Sequence, residues 1–269
     1  MREPGRVMSN NATDARLIPE PGEARLALPS ISVIIPAFNE ACYLPETLDR
    51  LRVSERYLTT RADAMVELIV VDNASTDRTA ECARTGGATV VLEPEHNIAK
   101  VRNAGAALAR HDVLLFLDAD TLAPADLLFR IALAMSDPAC VGGAVDAVYK
   151  PADPLVRAYL GLWRGLGLLA GMAQGACHFC SRSVFRDLGG YDETVYMGED
   201  VHFYWRMKRA ARRGGLRTCF IRDTQVVPSP RRFDHWPLWR TLIWTNPVIV
   251  FLLRRRRGAW GGWYKEVPR

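Results

Sequence analysis

Four short apolar runs alternate with longer, helix-patterned segments in the first half of the chain. The runs are residues 32–35, 68–71, Thr89–Leu92 and Val113–Leu117. An uninterrupted apolar run such as Val113–Leu117 is typical of a strand that is buried on both faces of a parallel sheet. The segments between them are long enough for the right-handed crossovers that parallel strands require. The pattern therefore predicts a βαβαβαβ layer of the α/β class.

The intervening segments carry signals for three helices. Leu44, Leu48 and Leu51 repeat at helical spacing, residues 73–77 contain several side chains that can cap a second helix, and residues 97–109 form an Ala-rich third. The second half of the chain is less regular. In this half we expect a strand at 141–145, a helix at 155–169, a segment of small residues at 171–183, and a helix that starts at Glu199 and ends before Gly214.

Two aspartates follow the fourth apolar run directly. Asp118 and Asp120 are two residues apart, so they leave the end of the strand on the same side. Ligands of open α/β sheets bind just beyond that end. Two close carboxylates repel each other unless a proton or a cation lies between them, and their hard oxygens suit Mg²⁺ or Mn²⁺ together with a phosphate-bearing substrate. The alternative is a polar loop that happens to be rich in aspartate.

The first strand lacks the phosphate-binding loops of common nucleotide enzymes. Residues 36–40 (PAFNE) contain no G-x-G-x-x-G, and the sequence has no G-x-x-x-x-G-K-[ST]. This argues against NAD binding and against P-loop chemistry.

Six short motifs in a fixed order resemble the family 2 glycosyltransferases, which are inverting, nucleotide-sugar-dependent enzymes with a GT-A fold. The motifs are residues 32–40 (SVIIPAFNE), 70–77 (VVDNASTD), 103–105 after Lys100-Val101-Arg102, 117–121 (LDADT), 189–192 (GGYD) and 198–200 (GED). The resemblance covers roughly residues 30–225. It implies a GT-A fold in which a Rossmann-like nucleotide-binding half and an acceptor-binding half form one domain, residues 30–230.

The resemblance also implies roles for individual residues. The donor nucleotide, usually UDP, would be bound by Pro36, Ala37, Phe38, Glu40, Asp72, Lys100, Asp118, Ala119 and Asp120. A divalent metal (Mn²⁺ or Mg²⁺) would lie between the donor diphosphate and the aspartate pair, with Asp120 as the direct ligand. Asp200 would be the general base that takes the proton of the acceptor hydroxyl. This chemistry needs one base, one metal site and one nucleobase pocket.

Other residues are candidates for the acceptor or the diphosphate. They are Gly175, Glu199, Arg231 and Arg232, and His235 is a further candidate for the metal shell. The two arginines either clamp the diphosphate or form a solvated basic loop. The Q-x-x-R-W motif of processive relatives is absent, so we expect a single sugar transfer. Cys177-His178-Phe179 departs from the small or polar residues of many relatives and leaves the acceptor open.

Charge and cysteine content add little to this interpretation. The net charge of +5 is local, since residues 254–257 are four arginines. Cys177 and Cys180 form a C-x-x-C without a second pair, which favours two buried thiols over zinc or redox chemistry. We expect a cytoplasmic protein that does not bind nucleic acid.

The two ends of the chain differ from the central domain. Residues 1–29 are rich in Pro, Glu, Arg and Ala, and we expect a disordered leader. Residues 231–269 are basic and rich in tryptophan, which indicates either peripheral contact with the inner face of a membrane or a helix that packs on the domain. Membrane contact would make a lipid-linked acceptor plausible beside a sugar acceptor.

Two rival interpretations belong to other functional classes. A dehalogenase-type phosphatase needs D-x-D-x-[TV], whereas Thr121 follows Asp120 directly. A catalytically silent GT-A module would bind a nucleotide sugar or a partner protein, but it has no need of Asp118, Asp120 and Asp200 together. The sequence therefore favours an active, metal-assisted glycosyltransferase.

Overall fold

The computed structural model describes residues 24–170 and 175–260. The strands in this part of the chain are β1 (Ile31–Ala37), β2 (Val66–Asp72), β3 (Thr89–Leu92), β4 (Val113–Leu117), β5 (Thr121–Leu122), β6 (Cys140–Ala147), β7 (Cys177–Ser181) and β8 (Arg217–Pro228). The α-helices are α1 (Leu44–Thr59), α2 (Thr79–Thr85), α3 (Ile98–Leu108), α4 (Leu127–Met135), α5 (Pro154–Ala170), α6 (Arg182–Asp187), α7 (Glu199–Arg213), α8 (Arg231–His235), α9 (Leu238–Trp244) and α10 (Pro247–Leu253). A 3₁₀ helix, Arg257–Trp260, follows α10.

The strands form one mixed sheet in the order β3-β2-β1-β4-β7-β6-β8-β5. β1 pairs in parallel with β2 and with β4, and β2 pairs in parallel with β3, so the predicted βαβαβαβ layer is confirmed. β7 is antiparallel to both of its neighbours, β4 and β6. β8 runs parallel to β6 and antiparallel to β5. The antiparallel β7 therefore joins the nucleotide-type layer to the second half of the chain.

Helices cover both faces of the sheet, as the apolar runs predicted. In β4, Leu115 and Leu117 face a core that includes residues of α1, α2 and α4, whereas Leu114 and Phe116 face a second core with α3, α6 and α7. All five residues of β4 are buried. Burial of each large apolar side chain contributes roughly 1.5–3 kcal/mol relative to exposure. The strand end that carries Asp118 is thus anchored on both sides.

Helix α3 packs closely on the sheet because of one glycine. A Cβ at Gly105 would lie 2.5 Å from Cγ2 of Ile34 in β1. The helix starts at the cap residue Asn97, whose side chain accepts from the backbone N–H groups of Ala99 and Lys100. These contacts determine where the remaining side chains of α3 meet the end of the sheet.

Several boundaries differ from the expectations. Residues 177–181 of the small-residue segment form a strand, β7, and residues 171–174 lie outside the described part. Helix α2 begins at Thr79, and among residues 73–77 the side chain of Asp77 accepts from the backbone N–H of Thr79 at 2.9 Å, whereas Ser75 bonds the loop after β1. The elements α4 and β8 carried no prediction.

The terminal segments are only partly described. Within the expected leader, Leu26 forms a bridge with Ala62 and Leu28 is buried, so contact with the domain starts before residue 30. Residues 1–23 and 261–269 lie outside the described part. The apolar run after Trp236 is divided into α9 and α10 by the cap residue Asn246 and by Pro247.

Candidate active site

A cavity of about 430 Å³ opens beyond the carboxyl ends of β1 and β4. One wall consists of the loop after β1, the turn after β4 and the first turn of α7. A second, more apolar wall includes Leu160 and Trp163 of α5, Trp244 of α9 and Val250 of α10. The position agrees with the general location of ligand sites in open α/β sheets.

Most of the residues singled out in the sequence line this cavity. They are Pro36, Ala37, Phe38, Glu40, Asp118, Ala119, Asp120, Gly175, Glu199, Asp200, Arg231 and Arg232. These residues come from positions as far apart as 36 and 232. The structure therefore brings the candidate donor, metal, base and diphosphate groups into one space.

Three other candidates do not line the cavity. Asp72 is buried at the end of β2 and accepts from the backbone N–H of Ser75 at 3.1 Å, while its neighbour Asn73 lines the cavity in its place. Lys100 lies on α3 and forms an ion pair with Glu95. His235 is exposed, and its Nδ1 lies 2.8 Å from the carbonyl oxygen of Arg231.

The loop after β1 is tied to the loop after β2. The backbone N–H of Asn39 donates to Oγ of Ser75 at 2.9 Å, and Oδ1 of Asn39 accepts from the backbone N–H of Thr76 at 2.7 Å. The backbone N–H of Glu40 donates to Oγ1 of Thr79 at 2.7 Å. Asn39 has a φ of +53°, a left-handed conformation that asparagine tolerates better than most residues. The loop is therefore preformed without a ligand.

The turn that carries the aspartate pair is also anchored. The buried hydroxyl of Thr47 on α1 donates to the carbonyl oxygen of Ala119 at 2.8 Å. The backbone N–H of Ser229 donates to the carbonyl oxygen of Asp120 at 2.9 Å. Contacts from α1 and from the residues after β8 thus hold the backbone between Asp118 and Asp120.

Arg102 connects the aspartate pair with the first turn of α7. It is only 4% exposed, and its guanidinium bonds Oδ1 of Asp118 at 3.0 Å and also bonds Glu199. The loss of surrounding water raises the pKa of Asp118 to about 6; Arg102 opposes this rise, and the charges of Asp120 and Asp200 add to it. Burial also raises the pKa of Glu199. The region therefore contains more negative charge than Arg102 offsets.

Arg231, at the start of α8, places a second positive charge beside the aspartate pair, although it is distant from the pair in sequence. Its guanidinium lies 3.1 Å from Oδ2 of Asp120 and also pairs with Glu40. Its Cζ is 4.4 Å from the centre of the Tyr43 ring. Because Arg231 is 8% exposed and Arg232 also lines the cavity, these arginines are not a solvated basic loop.

Asp200 lies in the first turn of α7, directly against Gly175. Oδ1 of Asp200 accepts from the backbone N–H of Val201 at 2.7 Å. A Cβ at Gly175 would lie 1.6 Å from Oδ2 of Asp200, so only glycine leaves room for the carboxylate. The helix begins after Gly198, whose φ is +69°. The packing of one glycine and the turn at another place this carboxylate in the cavity.

His178 is buried behind this arrangement. It is 2% exposed, and its ring interacts with the main chain of Gly175. Burial lowers the pKa of His178 to about 4, although the charge of Asp200 acts in the opposite direction. The imidazole is therefore neutral at physiological pH and adds no charge beside Asp200.

The aspartate pair fits a metal that arrives with a phosphate group. Within residues 24–170 and 175–260, no group of three or more His, Cys, Asp or Glu side chains could hold a metal ion by itself. Mg²⁺ is commonly held by only one or two carboxylates, with water and substrate phosphates as the remaining ligands. Burial is the largest cause of the raised pKa of Asp118, and the charges of Asp120 and Asp200 add to it, so a bound cation would offset part of the cost of ionising this carboxyl.

Some residues of the site carried no prediction of their own. Arg102 was quoted only as part of a motif, although it is a single arginine among small apolar residues on the buried face of α3, such as Ala99 and Ala106. That pattern is a usable signal, because an arginine in a packing face needs buried partners. Tyr149, Trp163 and Tyr196 also line the cavity, and no local pattern distinguishes them from core aromatics.

The cysteine prediction is confirmed. Cys177 and Cys180 are buried free thiols on β7, and burial raises the pKa of both.

The C-terminal segment packs on the domain with one face and exposes the other. Trp236 and Thr241 are buried, whereas Trp239 and Phe251 are each 61% exposed. In the described residues, no helix is both long enough and apolar enough to cross a membrane.

Sequence comparison gives the family. Residues 32–189, more than half of the chain, match the profile of "Glycosyl transferase family 2". The chain belongs to this family. A similar curated relative of this family 2 chain is the pre-mycofactocin glycosyltransferase of Mycobacterium tuberculosis, which is 28% identical over 201 residues. The match covers 68% of the chain but only 40% of that relative, so the chain spans about two fifths of its length.

Solved structures show the fold of this family 2 chain. The mannosyltransferase PcManGT from Pyrobaculum calidifontis, in complex with GDP-Man and Mn²⁺, has a TM-score of 0.57 and 24% identity, covering 80% of this chain and 62% of that one. Glucosyl-3-phosphoglycerate synthase from Mycobacterium tuberculosis, in complex with Mn²⁺, UDP and glucosyl-3-phosphoglycerate, has a TM-score of 0.54 and 21% identity, covering 84% and 80%. The predicted GT-A fold is confirmed.

Proposed function

We propose that this family 2 domain transfers a single sugar from a nucleotide-sugar donor to an acceptor hydroxyl, with inversion at the anomeric carbon. The observation that carries the proposal is the common cavity of Asp200, the aspartate pair and the loop after β1. A base, a charge-neutralising site for a diphosphate and a preformed loop are the parts that this reaction requires.

The donor would lie along the sheet wall. Its nucleoside would contact residues 36–40 and Asn73, and we propose UDP as the nucleotide. The M. tuberculosis structural neighbour contains UDP, whereas the Pyrobaculum neighbour contains GDP-Man, so the base is the first property to measure. Asp118 and Asp120 would hold Mn²⁺ or Mg²⁺, as suggested by the Mn²⁺ in both neighbours. The ion would act as a Lewis acid on the leaving diphosphate.

The residues of the chain would perform the remaining steps. Asp200 would take the proton of the acceptor hydroxyl while the acceptor oxygen attacks the anomeric carbon from the face opposite the diphosphate. The carbon–oxygen bond to the diphosphate would break, with its electron pair leaving on the nucleoside diphosphate. Arg231 and Arg232 would donate charge-assisted hydrogen bonds to that leaving group. One displacement inverts the carbon and needs no covalent enzyme intermediate.

We also propose a single transfer per binding event and a cytoplasmic location at the inner face of a membrane. The absence of Q-x-x-R-W supports the first, and the basic, tryptophan-rich segment after residue 230 supports the second. The acceptor would be the hydroxyl of a sugar or of a lipid-linked molecule, since the apolar side chains of Leu160, Trp163 and Trp244 line the same cavity as Asp200.

Calorimetry with UDP-, GDP- and dTDP-sugars, each with Mn²⁺, with Mg²⁺ and with a chelator, tests the donor site. We expect one nucleotide class to bind, and only when metal is present. Binding that is equal with and without metal would remove the proposed role of the aspartate pair. No binding of any donor would favour a silent module.

Asp200→Asn tests the proposed base. Loss of a general base lowers turnover by about 10²–10⁴-fold, whereas the donor affinity should stay within about threefold. The readout is release of nucleoside diphosphate with water as the stand-in acceptor. Asp112→Asn is the control, because the side chain of Asp112 is 90% exposed. Equal turnover in Asp200→Asn and the unmodified protein would contradict the assignment.

A further inference from the structure

Exposed apolar side chains are concentrated on three helices next to the cavity. Of the sixteen large apolar side chains that are exposed in the described residues, eleven lie on α5, α9 and α10. Examples are Leu162 (60% exposed) and Leu166 (45%) on α5, and Phe251 (61%) and Leu252 (69%) on α10. We call the exposed faces of α5, α9 and α10 the three-helix surface. Contiguous exposed apolar patches of this kind commonly mark contact sites.

The three helices of this surface also line the active-site cavity. Leu160 and Trp163 of α5, Trp244 of α9 and Val250 of α10 line the cavity from inside. The hydroxyl of Thr245, just after α9, donates to Oη of Tyr159 on α5 at 3.2 Å, which joins the helices at the rim. The same helices therefore supply both part of the cavity lining and the exposed apolar side chains.

The charge around the three-helix surface is mainly positive. Arg240 of α9 and Arg254 and Arg256 after α10 contribute to it, whereas Arg164 of α5 pairs with Asp146 and Arg255 pairs with Asp192. Cζ of Arg254 lies 3.9 Å from the centre of the exposed Phe251 ring, and Arg256 is exposed. Trp239 is 61% exposed on the same surface. Tryptophan and arginine at the edge of an apolar face are typical of segments that lie in the interface of an anionic bilayer.

We infer that the three-helix surface docks on a lipid bilayer with anionic headgroups, so that an acceptor anchored in that bilayer presents its hydroxyl to Asp200. This inference rests on the proposed function for the identity of the acceptor site, but not for the docking itself. A symmetric dimer through the same surface fits less well, because an isologous contact would bring the arginine-rich edges of two copies together. The bilayer offers phosphate groups to the arginines and a hydrocarbon boundary to the leucines.

Co-flotation with vesicles tests the docking surface without donor or metal. The probes are phosphatidylcholine vesicles with and without phosphatidylglycerol, and the protein is the full chain. We expect binding to the anionic vesicles, and a loss of at least about tenfold in partition for the double variant Phe251→Gln/Leu252→Gln. Leu162→Gln/Leu166→Gln should also weaken partition, because α5 belongs to the same surface.

The matched control is Met65→Gln/Leu92→Gln, which changes two apolar side chains of similar exposure (66% and 64%) away from the surface. It should bind vesicles like the unmodified protein. Vesicle binding that falls with added salt but is unchanged in Phe251→Gln/Leu252→Gln and in Leu162→Gln/Leu166→Gln would contradict the proposed docking surface. Absence of vesicle binding with a dimeric mass in light scattering would overturn it in favour of a second copy.

The failure of this inference can be separated from failure of the proposed function. Calorimetric donor binding uses no lipid, and the Gln variants should retain it. Retained donor binding without vesicle binding would remove the docking surface alone, whereas vesicle binding without donor binding would remove the proposed transfer alone.

Discussion

The two walls of the active-site cavity differ in how completely their side chains are paired inside the molecule. On the sheet wall, Asp118 and Asp120 each have an arginine partner, and the loop after β1 is bonded to the loop after β2. On the helical wall, Trp163 and Trp244 face the cavity while the outer faces of α5, α9 and α10 are exposed. The sheet wall is held by ion pairs and hydrogen bonds within the chain, whereas the helices of the other wall leave apolar surface exposed.

The difference indicates that the sheet wall binds the donor and that the helical wall serves the acceptor. A preformed polar wall loses little conformational freedom when it binds a charged diphosphate, which favours tight and specific donor binding. An incomplete apolar wall gains most when another apolar surface covers it. Variants of the sheet wall should therefore change donor binding or chemistry, and variants of the helical wall should leave donor binding intact.

After the loss of the base itself, the largest effect is expected at Gly175, which lies against Asp200. Gly175→Ala would place a methyl group against Oδ2 of Asp200 and displace the carboxylate. Because a misplacement of about 1 Å can cost on the order of 10²-fold in rate, we expect turnover to fall by about that factor. The control is Gly161→Ala, where an added Cβ meets nothing within 4 Å. Turnover that falls equally in both variants would show a general effect of alanine on the fold.

Asp120→Ala should weaken the donor affinity of the sheet wall. Removal of one carboxylate from a metal site with few protein ligands should lower the metal-dependent affinity by at least about tenfold, to the level seen with a chelator. Arg231 keeps its partner Glu40, so the local fold should persist. Calorimetry with Mn²⁺ checks the loss, with Asp112→Ala as the exposed control. Unchanged metal dependence would exclude Asp120 as a ligand.

The stability of the unmodified protein should fall in acid because of His178, which is buried in β7. The folded pKa of about 4 is below the ordinary value of 6.5, so unfolding takes up a proton between these pH values. The contribution of His178 is present above about pH 6.5 and decreases toward pH 4. His178 should make the free energy of unfolding of the unmodified protein about 2 kcal/mol larger at pH 7 than at pH 5. The variant His178→Gln should lack this difference. Urea unfolding at both pH values measures this, and an identical pH dependence in the variant would contradict it.

The smallest effect is expected on the helical wall. Trp163→Ala removes a large apolar group from that wall but touches none of the paired carboxylates, so the donor affinity should stay within about twofold. The same calorimetric titration used for Asp120→Ala gives a direct comparison. A loss as large as that of Asp120→Ala would end the distinction between the two walls.

Local patterns in the sequence determined the sheet layer and the ends of its strands. The apolar run Val113–Leu117 and the two aspartates after it are contiguous, so alternation along one strand is enough to predict burial and direction. The carboxylates at the start of α7 were likewise recognisable, because they follow Gly198 and precede a helical segment. The family motifs reflect the same local segments, which is why the GT-A fold followed from them.

Only the tertiary structure decided which charges meet and what surrounds the base. Arg102 pairs with Glu199, 97 positions later in the chain, and Asp120 pairs with Arg231, 111 positions later. Gly175 lies against Asp200. The exposure of α5 is also tertiary, since its apolar sequence fits a buried helix equally well. These contacts depend on the order and direction of β4, β7, β6 and β8 in the sheet. That order is set by packing between segments distant in sequence, and no periodicity within one segment encodes it.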